Sequence, residues 1–370
     1  MRIIGTLFSL PQVILFFVVW MVASLAKPLV VLSLLAVATN PSAAWRKFML
    51  FLWTIQYMIL CNDKKWSKPK VDPDSYFVNA DEKAKVKIQR KTVIFVRHGE
   101  STWNDTFNPG DRSKIKFIIN FIPGLLKAIA AEWFYWVSGQ EMSSWFYDSP
   151  LSEKGVSQAK GIQTYLQSKL DFMTPKEADL LRLLIGSKDH PSQLVTSNLR
   201  RAISTIVIGF QDRLLQNLEK DSVLILTELQ EISRNPDALS ITPAKGKVLP
   251  TWSDPKPLHG LFQPDRMNTS LCSGNKPVSS NGLKRMQAFC QIAFEQVEKN
   301  SIIAGGHSLW FRSFFQTYLP HTFDHICKKK KLINGGIVGF ALERIPIDAD
   351  GKEWAYRIDP TSLVVLYGGF

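Results

Sequence analysis

Apolar residues crowd the start of the chain and then thin into short, spaced runs. Residues 3–26 are almost wholly apolar, broken only by Pro11, Gln12 and a few small residues. That is longer than the ~20 residues that span a bilayer as a helix. Lys27-Pro28 interrupts the pattern. Residues 29–38 are apolar again but too short to span alone, and a third apolar run, 48–60, follows Arg46-Lys47. A cleaved signal peptide ending near Ala23-Ser24-Leu25-Ala26 is the competing reading, but the apolar core is long for it and two more runs follow. Residues 1–62 are therefore expected to form membrane-associated helices.

Residues 63–90 are polar and rich in lysine, with Pro69 and Pro73. They read as a linker. Lys64, Lys65, Lys68 and Lys70 beside an apolar anchor point to the cytoplasmic side, with the endoplasmic reticulum as a candidate organelle. From residue 91 the period changes. Short apolar runs at 92–96, 193–196, 222–226, 301–305 and 336–342 alternate with helical patterns near 152–170, 199–219, 281–299 and 309–319. Strands separated by helical crossovers predict an α/β three-layer sandwich, a mostly parallel sheet with helices on both faces. Residues 91–370 are expected to be one catalytic domain. Residues 250–282, rich in Pro, Gly, Ser and Asn, read as a long loop over the sheet.

The 370 residues carry a net charge of +13, which suits an anionic partner such as a phosphorylated substrate or an acidic membrane surface. The basic residues are dispersed and no recognition motif is visible, so nucleic acid is not expected. Cys61, Cys272, Cys290 and Cys327 have neither disulfide-framework nor CxxC spacing, which fits a reducing compartment.

The candidate chemistry lies where apolar runs end. "KTVIFVRHGESTWN" closes a strand on Arg97, His98 and Gly99. In a parallel sheet, ligands bind beyond the carboxyl ends of the strands, and the glycine permits close backbone approach or a strained turn. "VTSNLRRAIST" ends a second strand and opens a helix at Arg200-Arg201, where free N–H groups can hold an anion. "IIAGGHSLWFR" ends a third at His307. Two histidines and arginines on one edge indicate a phosphoryl site without a metal. His321, His325 and Cys327 are close in sequence, but three ligands so near one another need a helix that Cys327 would not continue. His190 and His259 sit in loops. Lys328 to Lys331 reads as a solvated turn, with a phosphate or lipid contact as the alternative.

"RHGESTWN", "DSPLSEKG", "TSNLRRA", "LQEI" and "GGHS" occur in an order that resembles the histidine phosphatase superfamily, in its phosphoglycerate mutase-like branch. The RHGxRxP pattern of the acid phosphatase branch is absent. The resemblance covers roughly residues 91–342. It implies that His98 is the nucleophile, that Arg97 and Arg201 clamp the phosphoryl oxygens, and that His307 donates to the phosphoryl group. Asn104 would be a further phosphate contact and Glu231 the proton donor. Glu228, three residues away, competes with Glu231, and Arg200 competes with Arg201. No cofactor and no metal are implied. Asn104-Asp105-Thr106 is also a glycosylation sequon, improbable inside an active-site loop.

The chain departs from that family in two places. Compact members have a short loop where this chain has residues 105–147. That insert contains "FIINFIPGLLKAIAAEWFYWV". As a helix it places Lys116, Asn120 and Lys127 on one stripe, and Ile118, Ile122, Leu125, Ile129, Trp133 and Trp136 opposite, with a kink at Pro123-Gly124. Such a face suits a membrane interface or packing over the site or against the anchor. Mutases of the family carry "RHYG" after the catalytic Glu, whereas "ISRNPDAL" follows Glu231 here. The expected function is a membrane-anchored phosphomonoesterase acting on a phosphorylated small molecule or lipid through a phosphohistidine on His98. The alternatives are phosphoglycerate mutase-type transfer and a non-catalytic phosphate-binding scaffold.

Overall fold

The computed structural model describes residues 24, 27–28, 30–35, 37–78, 88–110, 112–140, 142–168, 173–216, 221–348 and 352–370. The first apolar run, 3–26, lies almost wholly outside them, as do residues 79–87 of the expected linker. One sheet organises the rest. Its strands are β1 (Gln89–Arg97), β2 (Gln193–Ser197), β3 (Val223–Leu226), β4 (Met267–Asn268), β5 (Ser301–Gly306), β6 (Ile337–Pro346), β7 (Trp354–Ile358) and β8 (Val364–Tyr367). The order across it is β4-β3-β2-β5-β1-β6-β7, with β8 also paired to β6.

The helices are α1 (Pro41–Leu60), α2 (Thr102–Phe107), α3 (Lys114–Val137), α4 (Glu153–Leu166), α5 (Pro175–Ile185), α6 (Arg200–Gly209), α7 (Gln211–Gln216), α8 (Gly282–Glu295), α9 (Ser308–Tyr318) and α10 (Ile326–Lys329). Alternation along β1 shows why the sheet needs cover on both sides. Val93 and Phe95 enter one core with Phe289 of α8 and Trp310, Phe311 and Phe314 of α9. Ile94 and Val96 enter the other with Ile162 of α4, Leu181 of α5 and Ile203 and Ile206 of α6. Phe95 stacks on Phe311 at 4.1 Å between ring centroids.

Strands β4, β3, β2, β5 and β1 run parallel and β6 pairs antiparallel with β1, β7 and β8, so the sheet is mostly parallel, as expected, with β6 alone reversed. The reason lies after α9. Residues 319–336 climb back to the carboxyl edge instead of entering the sheet. Gly335, at φ 75°, reverses the chain, and its N–H donates to the Arg97 carbonyl, 3.1 Å. β6 must then descend against β1. An apolar run carries no direction, so the sequence pattern could not show this. The helical pattern at 199–219 divides into α6 and α7, and residues 250–281 contain only β4 and one 3₁₀ stretch, Lys256–Phe262.

The segment after α1, expected as part of a linker, is fastened to the domain. Asp63 is fully buried. Its carboxylate accepts from Lys276 Nζ at 2.7 Å, Arg285 Nη2 at 2.8 Å and Ser280 Oγ at 3.0 Å. Burial alone would raise the Asp63 carboxyl, yet Lys276 and Arg285 hold it below its ordinary range. Tyr57 of α1 and Cys61 just after it pack on Leu239.

The insert folds as α2 and α3, and α3 runs on through Pro123. Lys47 of α1 pairs with Glu132 of α3 at 2.9 Å. Ile115, Ile118, Ile119 and Ile122 remain exposed beside Lys116 and Lys127. Trp133 and Trp136, expected on the apolar face, are half-buried with their indole nitrogens shielded. Phe134 and Val137 face outward instead.

Candidate active site

Strand register assembles the site. Val96 and Thr196 both lie opposite Gly305, and Arg97 lies opposite Gly306. The residues that follow β1, β2 and β5 therefore emerge on one edge. His98 is tied there by its N–H to the Gly306 carbonyl, 3.0 Å. His307 begins α9 on the next strand over, and the two imidazole centroids are 4.9 Å apart.

Gly99 answers a steric demand. A Cβ there would meet the Gly155 carbonyl oxygen at 2.4 Å, and one on Gly155 would meet the Glu100 carbonyl oxygen at 2.0 Å. The turn after β1 and the first turn of α4 cross backbone to backbone, which only glycine allows. The expectation of close approach holds, and it explains why "RHG" and "SEKG" both end in glycine.

The His98 ring has a defined orientation. Nδ1 lies 2.5 Å from the Gly99 carbonyl. A carbonyl only accepts, so the proton sits on Nδ1 and the lone pair on Nε2. Arg201 Nε–H donates to Nε2 at 3.3 Å. Burial, with Arg201 and Arg97 adding to it, holds the His98 imidazole well below its ordinary range and so neutral at pH 7. Burial, then Arg201 and His98, does the same to His307. His307 Nε2 meets Ser197 Oγ at 2.9 Å. Its Nδ1 is buried without a partner, as is Arg97 Nε. Buried polar atoms without partners in a site mark places for a ligand's acceptors. Burial also lowers the Arg97 guanidinium to about 10, still charged at neutral pH.

Arg201 is held on its far side. Its Nη1 donates to the Asp237 carbonyl at 2.6 Å and its Nη2 lies 3.3 Å from the Asp237 carboxylate. Arg200 points away, to Asp148, whose Oδ1 also accepts the Arg200 backbone N–H at 2.8 Å. The start of α6 is thus already occupied by a carboxylate, and the anion-binding expectation for it fails. Of the two competing arginines, Arg201 is the one that meets His98.

Glu231 reaches α9. Its carboxylate accepts the backbone N–H of Trp310 at 2.9 Å and of Leu309 at 3.3 Å. It is thereby aimed at the turn that follows His307. Glu231 is also the carboxylate whose charge most strongly supports Arg97. Glu228 is half-buried, with one carboxylate oxygen shielded and unpartnered, and burial raises its carboxyl. Asn104, on α2, accepts at its side-chain oxygen from Asn108 Nδ2, 2.7 Å. His321 lies beside Asp72 and His325 caps α10. Among the described residues no group of three or more His, Cys, Asp or Glu could hold a metal.

Sequence reasoning missed Asp237, Ser197 and Asn334, whose side-chain amide donates to the His98 carbonyl at 3.0 Å. Asp237 had no motif to mark it. Ser197 sits in "TSNLRRA", where only the arginines drew notice.

No family model and no curated protein matches the chain. Solved structures that resemble it include a mycobacterial glucosyl-3-phosphoglycerate phosphatase, 13% identical, covering 73% of this chain and 98% of its own, at TM-score 0.32. A mutant phosphoserine phosphatase from Entamoeba histolytica, in complex with phosphoserine, is 15% identical over 72% of this chain and 94% of its own, at TM-score 0.31. A phosphoglycerate mutase from Bacillus anthracis is 14% identical over 73% of this chain and 92% of its own, at TM-score 0.33.

Proposed function

We propose that the chain is a phosphomonoesterase of the histidine phosphatase superfamily, in its phosphoglycerate mutase-like branch, and that it works through a phosphohistidine on His98. The observation that carries this is the neutral imidazole with its lone pair at Nε2, set among Arg201, Arg97 and His307. Nε2 attacks phosphorus as the ester P–O bond breaks, and Glu231 gives its proton to the leaving oxygen. Glu231 then takes a proton from water, whose oxygen displaces the histidine and yields phosphate. Arg97 and Arg201 neutralise the phosphoryl oxygens through forked donors, without need of a metal. His307 Nδ1 and Arg97 Nε, both without protein partners, supply further donors to the transition state. A bound dianion favours the protonated form of His307.

The same reading puts the enzyme on a membrane, anchored through residues 1–62 with the domain on the cytoplasmic side. The exposed apolar faces of α1, from Trp45 to Leu60, and of α3 support it. Among the described residues α3 is the one helix long and apolar enough to cross a bilayer.

The test is turnover of phosphate esters by the purified protein and by His98→Ala. Wild type should hydrolyse them, resist chelators and take up acid-labile label from a radioactive ester. The variant should keep its fold and lose both turnover and label. Full activity in His98→Ala would overturn the mechanism.

A further inference from the structure

Glu231 stands in a stretch with almost no regular structure. Residues 227–229 form a 3₁₀ turn, and residues 230–235 belong to no helix or strand. Its carboxylate reaches the N–H groups at the start of α9, and it can do so only while the backbone behind it is set. Buried backbone carbonyls need donors, and two cationic side chains supply them. Lys276 Nζ donates to the carbonyl of Glu231 and, at 2.9 Å, to that of Ser233. Arg285 Nη1 donates to the carbonyl of Gln230 and, at 3.0 Å, to that of Glu228.

Both cations answer to one carboxylate from far away in the chain. Asp63, fully buried, accepts from Lys276 Nζ at 2.7 Å and from Arg285 Nη2 at 2.8 Å. Its own backbone is fastened. The Asn62 N–H donates to the Val278 carbonyl at 3.1 Å, and the Asp63 carbonyl accepts from the Gly282 N–H at 3.1 Å. Lys276 uses all three ammonium protons, on Asp63, Glu231 and Ser233. Burial, with Arg285 adding to it, pulls this ammonium down to about 8, and Asp63 is the charge that most opposes the fall. Without Asp63, Lys276 and Arg285 are buried like charges with no carboxylate between them. An ammonium that gives up its proton has two donors left for the loop.

We propose that Asp63 is a positioning residue for Glu231, setting the loop through Lys276 and Arg285 so that the Glu231 carboxyl meets the leaving oxygen. This rests on the phosphomonoesterase reading and adds that protonation of the leaving group depends on the segment that joins the anchor. α1 ends at Leu60, and Asp63 lies just beyond it. Tyr57, in the last turn of α1, has its ring centroid 5.9 Å from Lys276 Nζ. The anchor-side helix thus lies against the cation that holds the backbone of the acid. Asp63 is outside the span of the sequence resemblance, so this support belongs to this chain's own architecture. The nucleophile is held separately, by the Gly306 and Gly99 carbonyls. Loss of Asp63 should therefore impair proton transfer more than attack on phosphorus.

The experiment uses the full chain in neutral detergent micelles and two esters, an alkyl phosphate and p-nitrophenyl phosphate. Only the first needs a proton on its leaving oxygen. The ratio of their kcat/KM values is read, because chains lost to unfolding lower both values alike and cancel. Asp63→Asn keeps the size of the side chain and removes its charge. It should lower the alkyl-to-nitrophenyl ratio about tenfold, short of the about 10²–10⁴-fold that a general acid contributes. Ser280→Ala, which removes a hydrogen bond to the same carboxylate and none to the Glu231 loop, should leave the ratio unchanged. In a Glu231→Gln background Asp63→Asn should lower it no further, since an effect that runs through one residue is lost with it. Lys276→Gln leaves Asp63 and Arg285 as a balanced pair, so it carries the test if Asp63→Asn does not fold, and it too should lower the ratio. A wild-type ratio in folded Asp63→Asn, or in Lys276→Gln where Asp63→Asn does not fold, would overturn the positioning role. So would an equal fall in Ser280→Ala, or an equal fall with and without Glu231. Turnover of neither ester by wild type would overturn the phosphatase reading and this role with it, whereas turnover with an unmoved ratio overturns the role alone.

Discussion

His98 is equipped to act through one ring nitrogen because the other is tied to the Gly99 carbonyl. The acid is less constrained by type, since Glu231 and Glu228 both end up near α9. Their surroundings differ. Glu231 holds two N–H groups at the start of that helix and lies near Arg97. Glu228 gives its backbone carbonyl to the Trp310 indole at 2.8 Å and leaves a carboxylate oxygen unpartnered. Glu231→Gln keeps the size and removes the proton. Its rate should fall by about 10²–10⁴ on alkyl phosphates and much less on p-nitrophenyl phosphate, whose leaving group needs little protonation. Rates on both esters decide the assignment. If Glu228→Gln shows that leaving-group dependence and Glu231→Gln does not, the roles are exchanged. Most of these residue types were legible because they stand in short motifs at strand ends. Asp237 was not, because what makes it functional is its contact with Arg201, which sequence neighbours do not reveal.

Among the elements, the one that departs most from its sequence pattern is the stretch between α1 and β1. Lysines and prolines suggest a solvated linker, and nothing local says that Asp63 is buried. It is buried because Lys276 and Arg285 await it, and both also serve the loop that carries Glu231. Lys276 donates to the Glu231 carbonyl, and Arg285 to the Gln230 carbonyl. Removing one member of a buried charge network leaves the others uncompensated and typically costs about 3–5 kcal/mol. Asp63→Asn should therefore lower the thermal midpoint of the full chain by many degrees. Ser280→Ala, which deletes one hydrogen bond to the same carboxylate, should cost about 1 kcal/mol. Unfolding scans of both variants check this. Equal, small shifts would mean that the clamp contributes little. Strands β1, β2, β3 and β5 behave oppositely to this segment. Their apolar runs are long enough, and buried enough on both faces, that their positions agree with the pattern to within a few residues.

At the scale of the whole molecule, α1 and α3 form a joined apolar surface on one domain, through Lys47 and Glu132 and through the packing of Tyr57 and Cys61. Ile118 and Ile122 are among its outward residues on α3, whereas Trp133 and Trp136 are half-buried. A fragment from residue 40 onward, mixed with anionic vesicles, should bind and should release as salt screens Lys116 and Lys127. Ile118→Ser with Ile122→Ser should weaken binding at least tenfold, since burying each isoleucine side chain is worth about 1.5–3 kcal/mol. Co-sedimentation measures it, and unchanged binding in the double variant would remove α3 from the membrane contact. The sequence by itself determined the α/β class, the positions of the core strands and helices, and the chemistry at their ends. Hydrophobic period and short motifs are local properties of a chain. Tertiary structure alone decided the reversal of β6, the carboxylate at the start of α6 and the docking of Asp63. Each depends on which distant segments meet, and in those pairings burial and charge compensation outweigh what any local pattern prefers.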